Sequence, residues 1–372
     1  MTRKAKARLL WAGLFLSVLG LAAVWFLSQN REAELQTFAM GSYVRQTVWG
    51  AKSEQAAADA SAALHDLENR ISWRREDGDI AQVNRQAGQR PVPVEPETLA
   101  LLEQMRQLSE ASGGAFDVTI GPVAQLWDFD SGPHLPEAGE LEATLALVGY
   151  DRLLTGGDAL FELASVPQEL FDGDAAALEQ AAALLDPGMA LDLGAVGKGA
   201  ACDAALAQYQ EAGVKGAVIA VGGSIGLYGQ KPDGKAFRVS VRDPEGQGSM
   251  GVLELPGGFV STSGSYEKYF EQNREKYHHI LDPRTGYPAE SGLVSVTVWC
   301  PPEMDWKWPG ALSDGLATAC FVLGLEDGQK LLEGYGAEGI FVDGDGAVAV
   351  TPGLEGRFSL TAPGYHREAG AP

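Results

Sequence analysis

Val218-Ile219-Ala220-Val221-Gly222-Gly223-Ser224 is the stretch that decides the fold class, because a short β-branched run ends here in a glycine turn. Similar runs bounded by glycine or proline follow at residues 237–241, 251–255, 258–262, 294–299 and 339–342. Helical patterns lie between them at 199–212 and 313–335, without the regular alternation that a parallel sheet requires. The sequence therefore predicts an α+β domain with a mixed or antiparallel sheet and packed helices.

The region before these strands is mainly helical in pattern. Residues 51–69 carry alanine and leucine at helical spacing, and residues 96–112 run from a Glu-Pro-Glu start to the glycine pair 113–114. Residues 133–186 are rich in Ala, Glu and Gly and have no strong strand pattern. We expect helix and loops around short strands in that last segment.

The N-terminus has the pattern of a membrane segment. Residues 9–27 are nearly continuous apolar residues without charge, and at ~1.5 Å per residue they span a hydrocarbon core of ~30 Å. Four basic residues precede them, which predicts a cytoplasmic N-terminus and an exported domain. A cleaved signal peptide is the alternative, although its apolar region is usually shorter. We assign residues 1–28 to the anchor or signal segment and 29–37 to a linker.

Composition excludes several classes of function. The formal net charge is −22, which argues against nucleic-acid binding. An acidic protein that handles a phosphate compound is expected to use a divalent cation, although charge for solubility alone explains the balance equally well. The three cysteines, at 202, 300 and 320, match neither a disulfide framework nor a zinc site, and one pair could still form a bridge.

The segment from Tyr277 to Gly292 places two adjacent histidines beside an Asp-Pro turn. Histidine has the unperturbed pKa nearest to neutral pH, so His278 and His279 are candidates for proton transfer. Asp-Pro followed by Thr-Gly also makes tight turns without any chemistry, and this structural alternative stays open on the segment alone.

Two glycine-containing motifs suggest a nucleotide ligand. In residues 113–122, exposed backbone and Asp117 suit a heteroaromatic ring, although a helix C-cap followed by a strand explains the motif equally well. In residues 191–199, glycines and Lys198 precede a helix, and a helix N-terminus with a lysine favours an anion. This second motif matches neither a P-loop nor a dinucleotide fingerprint.

Asp314 and Thr318 are four residues apart in a predicted helix, so their oxygens lie on one face and could bind one hard cation. An alternative explains Asp314 without metal. Ser313 could cap the helix, with Asp314 favoured in its first turn.

Taken together and in order, seven motifs resemble the ApbE family of FAD:protein FMN transferases. They are Met-Gly-Ser (40–42), Gly-Ala-Phe-Asp-Val-Thr-Ile-Gly-Pro (114–122), Leu-Asp-Leu-Gly-Ala-Val-Gly-Lys-Gly (191–199), Val-Gly-Gly-Ser (221–224), Ser-Thr-Ser-Gly (261–264), His-Ile-Leu-Asp-Pro-Arg-Thr-Gly (279–286) and Ser-Asp-Gly-Leu-Ala-Thr (313–318). The resemblance covers residues 38–363, leaving 364–372 as a tail. It implies a T-fold-like domain that uses FAD and Mg²⁺, transfers FMN to a threonine hydroxyl of a partner protein and releases AMP.

The resemblance also implies roles for individual residues. His279 matches the catalytic histidine. FAD contacts map onto Met40, Ala115, Phe116, Asp117, Asp192, Lys198 and Ile280. The metal ligands map onto the Ala195 carbonyl, Asp314 and Thr318. Hard oxygen ligands of this kind suit Mg²⁺ rather than zinc.

The chain departs from the family pattern at two places. Ser265 stands where an acidic or amide residue is usual, and the family's aromatic residue falls on either Trp73 or Arg74. Two other functions stay open: an FAD pyrophosphatase that gives FMN and AMP, and a periplasmic flavin-binding or trafficking protein without turnover. For the leading hypothesis we expect a periplasm-facing enzyme at the bacterial inner membrane, whose acceptor belongs to a membrane electron-transfer complex.

Overall fold

The computed structural model describes residue 11 and residues 13–20, 31–156, 182–246 and 248–367. The helices after the N-terminal segment are α1 (Ser53–Ile71), α2 (Asp79–Arg85), α3 (Pro96–Ala111), α4 (Gly121–Trp127), α5 (Ala138–Leu145), α6 (Gly197–Ala212), α7 (Pro309–Leu323) and α8 (Leu325–Tyr335). The first eight strands are β1 (Glu32–Ala39), β2 (Ser42–Trp49), β3 (Val92–Pro93), β4 (Leu154–Thr155), β5 (Ala182–Leu184), β6 (Gly216–Val221), β7 (Ser224–Gly229) and β8 (Phe237–Arg242). The others are β9 (Ser249–Leu255), β10 (Gly258–Gly264), β11 (Tyr269–Gln272), β12 (Glu275–His278), β13 (Leu293–Cys300), β14 (Glu338–Asp343), β15 (Ala347–Val350), β16 (Phe358–Leu360) and β17 (His366–Arg367).

A nine-stranded sheet is the centre of the fold. Its strand order is β1-β2-β6-β7-β10-β13-β14-β15-β17, and every pair is antiparallel except β15 with β17. Three small sheets accompany it, with strand orders β16-β9-β8, β3-β5-β4 and β11-β12. The predicted α+β class with a mixed sheet is confirmed.

The two faces of the large sheet bury different layers, because side chains alternate along each strand. On one face Ile219, Val298 and Phe341 pack in a core with α1, α6 and α7. On the other face Val260 and Ile340 pack against the small sheet β16-β9-β8. The strands are therefore buried on both sides, which explains their continuous runs of apolar residues.

Three element boundaries differ from the sequence-based prediction. Residues 32–39 form β1, which pairs along its whole length with β2, so most of the predicted linker belongs to the sheet. The helix predicted over 313–335 is two helices, separated at Gly324, whose φ of +84° is outside helical geometry. His366 and Arg367, in the predicted tail, pair with β15.

Most of the predicted membrane segment, residues 9–27, lies outside the described residues. Residues 13–20 are helical, and within the described ranges no helix has the length and apolar character needed to span a membrane. The anchor stays a prediction. Cys202, Cys300 and Cys320 are all buried as free thiols.

Candidate active site

The site is built where the N-terminal ends of α6 and α7 cross. A Cβ atom on Gly199 would lie 2.1 Å from the Gly310 carbonyl oxygen, and one on Gly310 would lie 2.4 Å from the Gly199 carbonyl oxygen. Two glycines are required here because no side chain fits between the backbones. The crossing brings two helix N-termini, each with free N–H groups, to one place.

Two aspartates cap these helices reciprocally. Asp314 of α7 accepts a hydrogen bond from the Gly199 N–H at 2.8 Å and another from the Ser224 hydroxyl at 2.9 Å. Asp203 of α6 accepts from the N–H groups of Gly310 and Ala311 at 2.8 and 2.9 Å. Desolvation raises the pKa of Asp203 well above its usual range, and the two N–H donors oppose that rise.

The Ala195 carbonyl lies just before α6, which begins at Gly197, and so takes no part in the helix's own hydrogen bonds. The first of those bonds runs from the Ala200 N–H to the Val196 carbonyl, and the Gly199 N–H, which has no partner within the helix, bonds to Asp314. Among the described residues, no N–H or O–H donates to the Ala195 carbonyl. The Ala195 carbonyl oxygen is therefore available to a ligand.

Thr318 completes the set of hard oxygen atoms. Its hydroxyl lies 3.3 Å from the Asp314 carbonyl oxygen, as the four-residue spacing predicts, and 3.1 Å from the Ser263 hydroxyl. In the described ranges no cluster of three or more His, Cys, Asp or Glu is suited to a metal. One carboxylate, one carbonyl and one hydroxyl are the ligand types that fit Mg²⁺.

Ser313 does not cap α7, contrary to the alternative raised by the sequence. The helix begins at Pro309, so Ser313 and Asp314 lie beyond its first turn, and the Ser313 hydroxyl donates to the Gly310 carbonyl at 2.8 Å. Capping of its own helix therefore does not explain Asp314.

The two histidines have different environments. Both ring nitrogens of His278 are bonded: Nε2 lies 3.1 Å from the Ala289 carbonyl oxygen, and Nδ1 accepts from the Ile280 N–H at 3.3 Å. The Nδ1 of His279 lies 3.2 Å from the Lys268 carbonyl oxygen. In the described part of the chain, the Nε2 of His279 has no partner. His278 is structural, whereas His279 has a nitrogen available for chemistry.

The protonation state of His279 follows from its partners. A carbonyl only accepts, so Nδ1 carries the proton and Nε2 carries the free lone pair. Desolvation, then the positive charge of Lys268 and the weaker effects of Lys198 and His278, lower the pKa of His279 to about 4. The imidazole is therefore neutral at neutral pH and can accept a proton at Nε2.

Lys198 connects the histidine with the helix crossing. It is the second residue of α6, next to Gly199, and its stem would contact a Cβ atom on Gly222 at 3.3 Å. Its charge acts on His279. No ion pair involves Lys198 in the described ranges, so its ammonium group is available to an anion.

The predicted flavin segment 115–117 is buried. Phe116 packs near Gly315 of α7, and Ala115 is also in the core. The Asp117 carboxylate accepts from the N–H and hydroxyl of Thr119 and from the Tyr150 N–H at 2.7–2.8 Å. Desolvation raises the pKa of Asp117 against these three bonds. The Asp117 carboxylate thus stabilises the loop on which it lies. Its contact with FAD stays a prediction.

Asp192 lies at the edge of the site. It accepts from the Gly194 N–H at 2.7 Å, and desolvation raises its pKa, while the Gly194 bond and the Arg74 charge oppose the rise. The Arg74 guanidinium lies 4.2 Å from the centre of the Trp73 ring. Both residues that compete for the family's aromatic position therefore border Asp192.

Met40 is held in a strained turn. Met40 and Gly41 form the two-residue loop between β1 and β2, with φ of +55° and +64°. Positive φ is unusual for a methionine, and strain of this kind persists where the surroundings enforce it. The Met40 methyl group would lie 3.0 Å from a Cβ atom on Gly197, the first residue of α6.

The predicted turn after His279 is present. The Asp282 carbonyl accepts from the N–H groups of Thr285 and Gly286, and the Asp282 carboxylate binds the Arg284 guanidinium at 2.8–2.9 Å. Ile280 is buried and its carbonyl accepts from the Ala289 N–H at 2.9 Å. These bonds fix the chain that follows His279.

A model described as the ApbE family matches residues 40–341. The FAD:protein FMN transferase of Treponema pallidum is 32% identical over 350 residues, which are 89% of this chain and 90% of that protein. The enzyme of the same name from Rhodobacter capsulatus is 32% identical over 321 residues, covering 84% of this chain and 56% of that protein. The chain belongs to the ApbE family.

Solved structures of the family agree in fold. The ApbE protein of Thermotoga maritima superposes with a TM-score of 0.75 at 27% identity, covering 88% of this chain and 99% of that one. The Pseudomonas stutzeri flavinyl transferase ApbE gives 0.73 at 28% identity, covering 90% and 99%. The resemblance proposed from the motifs is confirmed, and the chain is an enzyme of the transferase class.

Several of the predicted ApbE residues lie around the crossing of α6 and α7. Lys198 adjoins Gly199, whose N–H bonds to Asp314; Thr318 bonds to the Asp314 carbonyl, Met40 lies near Gly197, and Phe116 lies near Gly315. The charge of Lys198 acts on His279. The individual contacts with FAD and metal stay predictions. Sequence reasoning placed Asp203 on the first turn of the helix that follows residues 191–199 but missed its role, which is to cap α7. It also missed Lys268, because the residue acts on His279 through its backbone carbonyl, which carries no sequence signal.

Proposed function

We propose that this ApbE-family enzyme uses FAD and Mg²⁺ to attach FMN to a threonine hydroxyl of a partner protein and releases AMP. The proposal rests on two adjacent residues, Lys198 and Gly199, at the N-terminus of α6. The Gly199 N–H fixes the Asp314 carboxylate, and the adjacent lysine lies within electrostatic range of His279. A buried carboxylate and a free ammonium group thus lie at one helix N-terminus, and the charge of that ammonium group acts on the neutral imidazole of His279.

The chain's own residues supply a base and an anion site. The Nε2 of His279 takes the proton from the threonine hydroxyl, because its lone pair is free and Nδ1–H is held by the Lys268 carbonyl. Lys198 and the N-terminus of α6 stabilise the negative pyrophosphate of FAD. The bond from threonine oxygen to phosphorus forms as the bond from that phosphorus to the bridging oxygen breaks, and AMP leaves with that oxygen.

The donors at the crossing fit Mg²⁺. Ala195 would supply its carbonyl, Asp314 its carboxylate and Thr318 its hydroxyl, and the Ala195 carbonyl is otherwise left without a donor. When bound there, Mg²⁺ would neutralise pyrophosphate charge and make AMP a better leaving group. With one protein carboxylate among the ligands, the site leaves positions for phosphate oxygens.

The test is an assay with the full chain in detergent, FAD, MgCl₂ and an acceptor domain that carries one target threonine. Fluorescent flavin that stays on the acceptor in a denaturing gel, with one AMP per flavin, is the expected result. AMP with only free FMN would instead identify an FAD pyrophosphatase. Tight FAD binding without AMP would identify a carrier.

His279→Asn tests the base. Asparagine can still donate to the Lys268 carbonyl but has no basic nitrogen, so transfer is expected to fall by a factor of about 10²–10⁴. His278→Asn is the matched control, because it alters the neighbouring ring and leaves the proposed base in place. Full transfer by His279→Asn would refute the assignment.

We also propose that the N-terminal segment anchors the enzyme in the bacterial inner membrane, with the catalytic domain in the periplasm. The charge asymmetry around residues 9–27 supports this, as do the exposed apolar side chains of Leu14, Phe15 and Leu16. An acceptor in a membrane electron-transfer complex would then lie at the same surface. Fractionation of cells with N-terminal sequencing of the mature protein distinguishes an anchor from a cleaved signal.

A further inference from the structure

Asp130 connects three loops near the candidate base. It follows α4, and its two carboxylate oxygens bind different cations: Oδ1 lies 2.5 Å from the Lys268 ammonium group and Oδ2 lies 2.5 Å from the Arg74 guanidinium. Lys268 immediately precedes β11, and Arg74 follows α1. One carboxylate therefore joins segments that are far apart in sequence.

The Lys268 end of this bridge leads to His279. The Lys268 carbonyl accepts two hydrogen bonds from His279, one from its backbone N–H at 3.0 Å and one from its Nδ1 at 3.2 Å. These bonds set the orientation of the imidazole and the tautomer that leaves Nε2 free. The position of the Lys268 backbone therefore decides where Nε2 points.

The Arg74 end leads to the predicted flavin contacts. Arg74 stacks on Trp73, and its charge reaches Asp192. Asp130 thus binds Lys268, whose carbonyl holds the His279 ring, and Arg74, which borders the predicted flavin contacts. The pKa of Asp130 is lowered, since the hydrogen bonds and charges of Lys268 and Arg74 outweigh partial desolvation. The carboxylate is ionised at neutral pH.

We propose that Asp130 is a positioning residue for the transfer reaction, which clamps the Lys268 loop so that His279 presents Nε2 to the acceptor hydroxyl. The inference rests on the proposed function. It assigns no contact between Asp130 and substrate. The clamp acts through geometry, because a misplacement of about 1 Å at a reacting group can lower a rate by as much as ~10²-fold.

Three variants test the clamp in the full chain. Asp130→Asn removes the charge at nearly constant shape, and Asp130→Glu restores the charge on a longer side chain. Asp327→Asn is the matched control, because Asp327 forms an exposed ion pair with Lys330 within α8 and makes no bond to the Lys268 or His279 loops. Since exposed ion pairs add little to stability, the melting temperature of Asp130→Asn is expected to stay within about 2 °C of the wild type.

The expected kinetic result is a separation of kcat from KM. Asp130→Asn should lower kcat for transfer by about tenfold at saturating FAD and acceptor, with the KM for FAD unchanged within about twofold, because the base is misplaced while substrate binding remains. Asp130→Glu should recover part of the loss, and Asp327→Asn should match the wild type. An unchanged kcat, or a loss confined to the KM for FAD, would overturn the proposal.

A second measurement does not depend on turnover. In nitrogen NMR of histidine-labelled protein, His279 of the wild type should be the Nδ1–H tautomer. Asp130→Asn should mix the tautomers, since a loosened Lys268 loop no longer holds the Nδ1–H of His279 against the Lys268 carbonyl. Lys198, Lys268 and His278 are the charged or titratable groups acting on this ring. An unaltered tautomer in Asp130→Asn would refute the clamp even if the wild type proved to be a hydrolase.

Discussion

Asp314→Asn and Asp203→Asn form a matched pair that separates metal binding from helix capping. Both carboxylates accept two hydrogen bonds at the crossing of α6 and α7, but only Asp314 belongs to the proposed Mg²⁺ site. In each variant an NH₂ group replaces one accepting oxygen: at position 314 the Ser224 hydroxyl can rotate to accept from it, whereas at position 203 it faces a backbone N–H. A hydrogen bond to a charged group contributes about 1.5–3 kcal/mol and a neutral one about 0.5–1.5 kcal/mol, so Asp314→Asn should cost about 1–3 kcal/mol of stability and Asp203→Asn more than that.

Mg²⁺ should then distinguish the two variants. A ligand at 100 times its Kd stabilises the folded state by about 2.7 kcal/mol. For a domain of roughly 300 residues, 1 kcal/mol corresponds to about 1.5 °C in melting temperature, so saturating Mg²⁺ should raise it by about 4 °C. The wild type and Asp203→Asn should show this rise, and Asp314→Asn should lack most of it.

The assay is thermal unfolding without FAD, in chelator and in MgCl₂, at constant ionic strength. Chelator should return the wild type to its metal-free melting temperature. An equal rise with Mg²⁺ in Asp314→Asn would refute Asp314 as a ligand. Loss of the rise in Asp203→Asn would show that the crossing as a whole, rather than its proposed ligands, creates the effect.

Three further outcomes are expected. In urea unfolding, Gly199→Ala should destabilise the fold by at least about 3 kcal/mol or prevent folding, because its Cβ would lie 2.1 Å from a backbone oxygen. The control Gly334→Ala has open space around its Cβ and should be neutral or stabilising by up to about 1 kcal/mol. The kcat/KM for transfer should be flat from about pH 8 to 5 and fall as pH drops through about 4, because protonation removes the lone pair of His279 in the free enzyme; a midpoint near 6.5 would contradict the burial argument. Met40→Asn should raise the melting temperature, since asparagine tolerates positive φ. It should also raise the KM for FAD if the Met40 thioether contacts the flavin, and an unchanged KM would show that Met40 is not part of the FAD site.

The local patterns predicted the elements well where the periodicity was strong. The runs 218–221, 237–241 and 294–299 all lie in strands, and the pattern over 96–112 matches α3 to within one residue. The predictions were weakest at boundaries. Gly324 divides the helix pattern over 313–335. Strand β1 occupies most of the predicted linker, because every second residue is exposed and such an edge strand carries a weak sequence signal.

The sequence by itself determined the family and the α+β class and predicted the residues that carry the chemistry, because residue identity and order define the seven motifs. Tertiary structure decided how those residues act. It showed that the Gly199 N–H at the start of α6 bonds to Asp314 of α7, and that, among the described residues, only one of the two adjacent histidines keeps a nitrogen without a partner. The physical reason is that each of these bonds uses a backbone group, such as the Gly199 N–H or the Lys268 carbonyl. Almost every residue has the same backbone groups, so the sequence does not show which backbone group will bond to a given side chain.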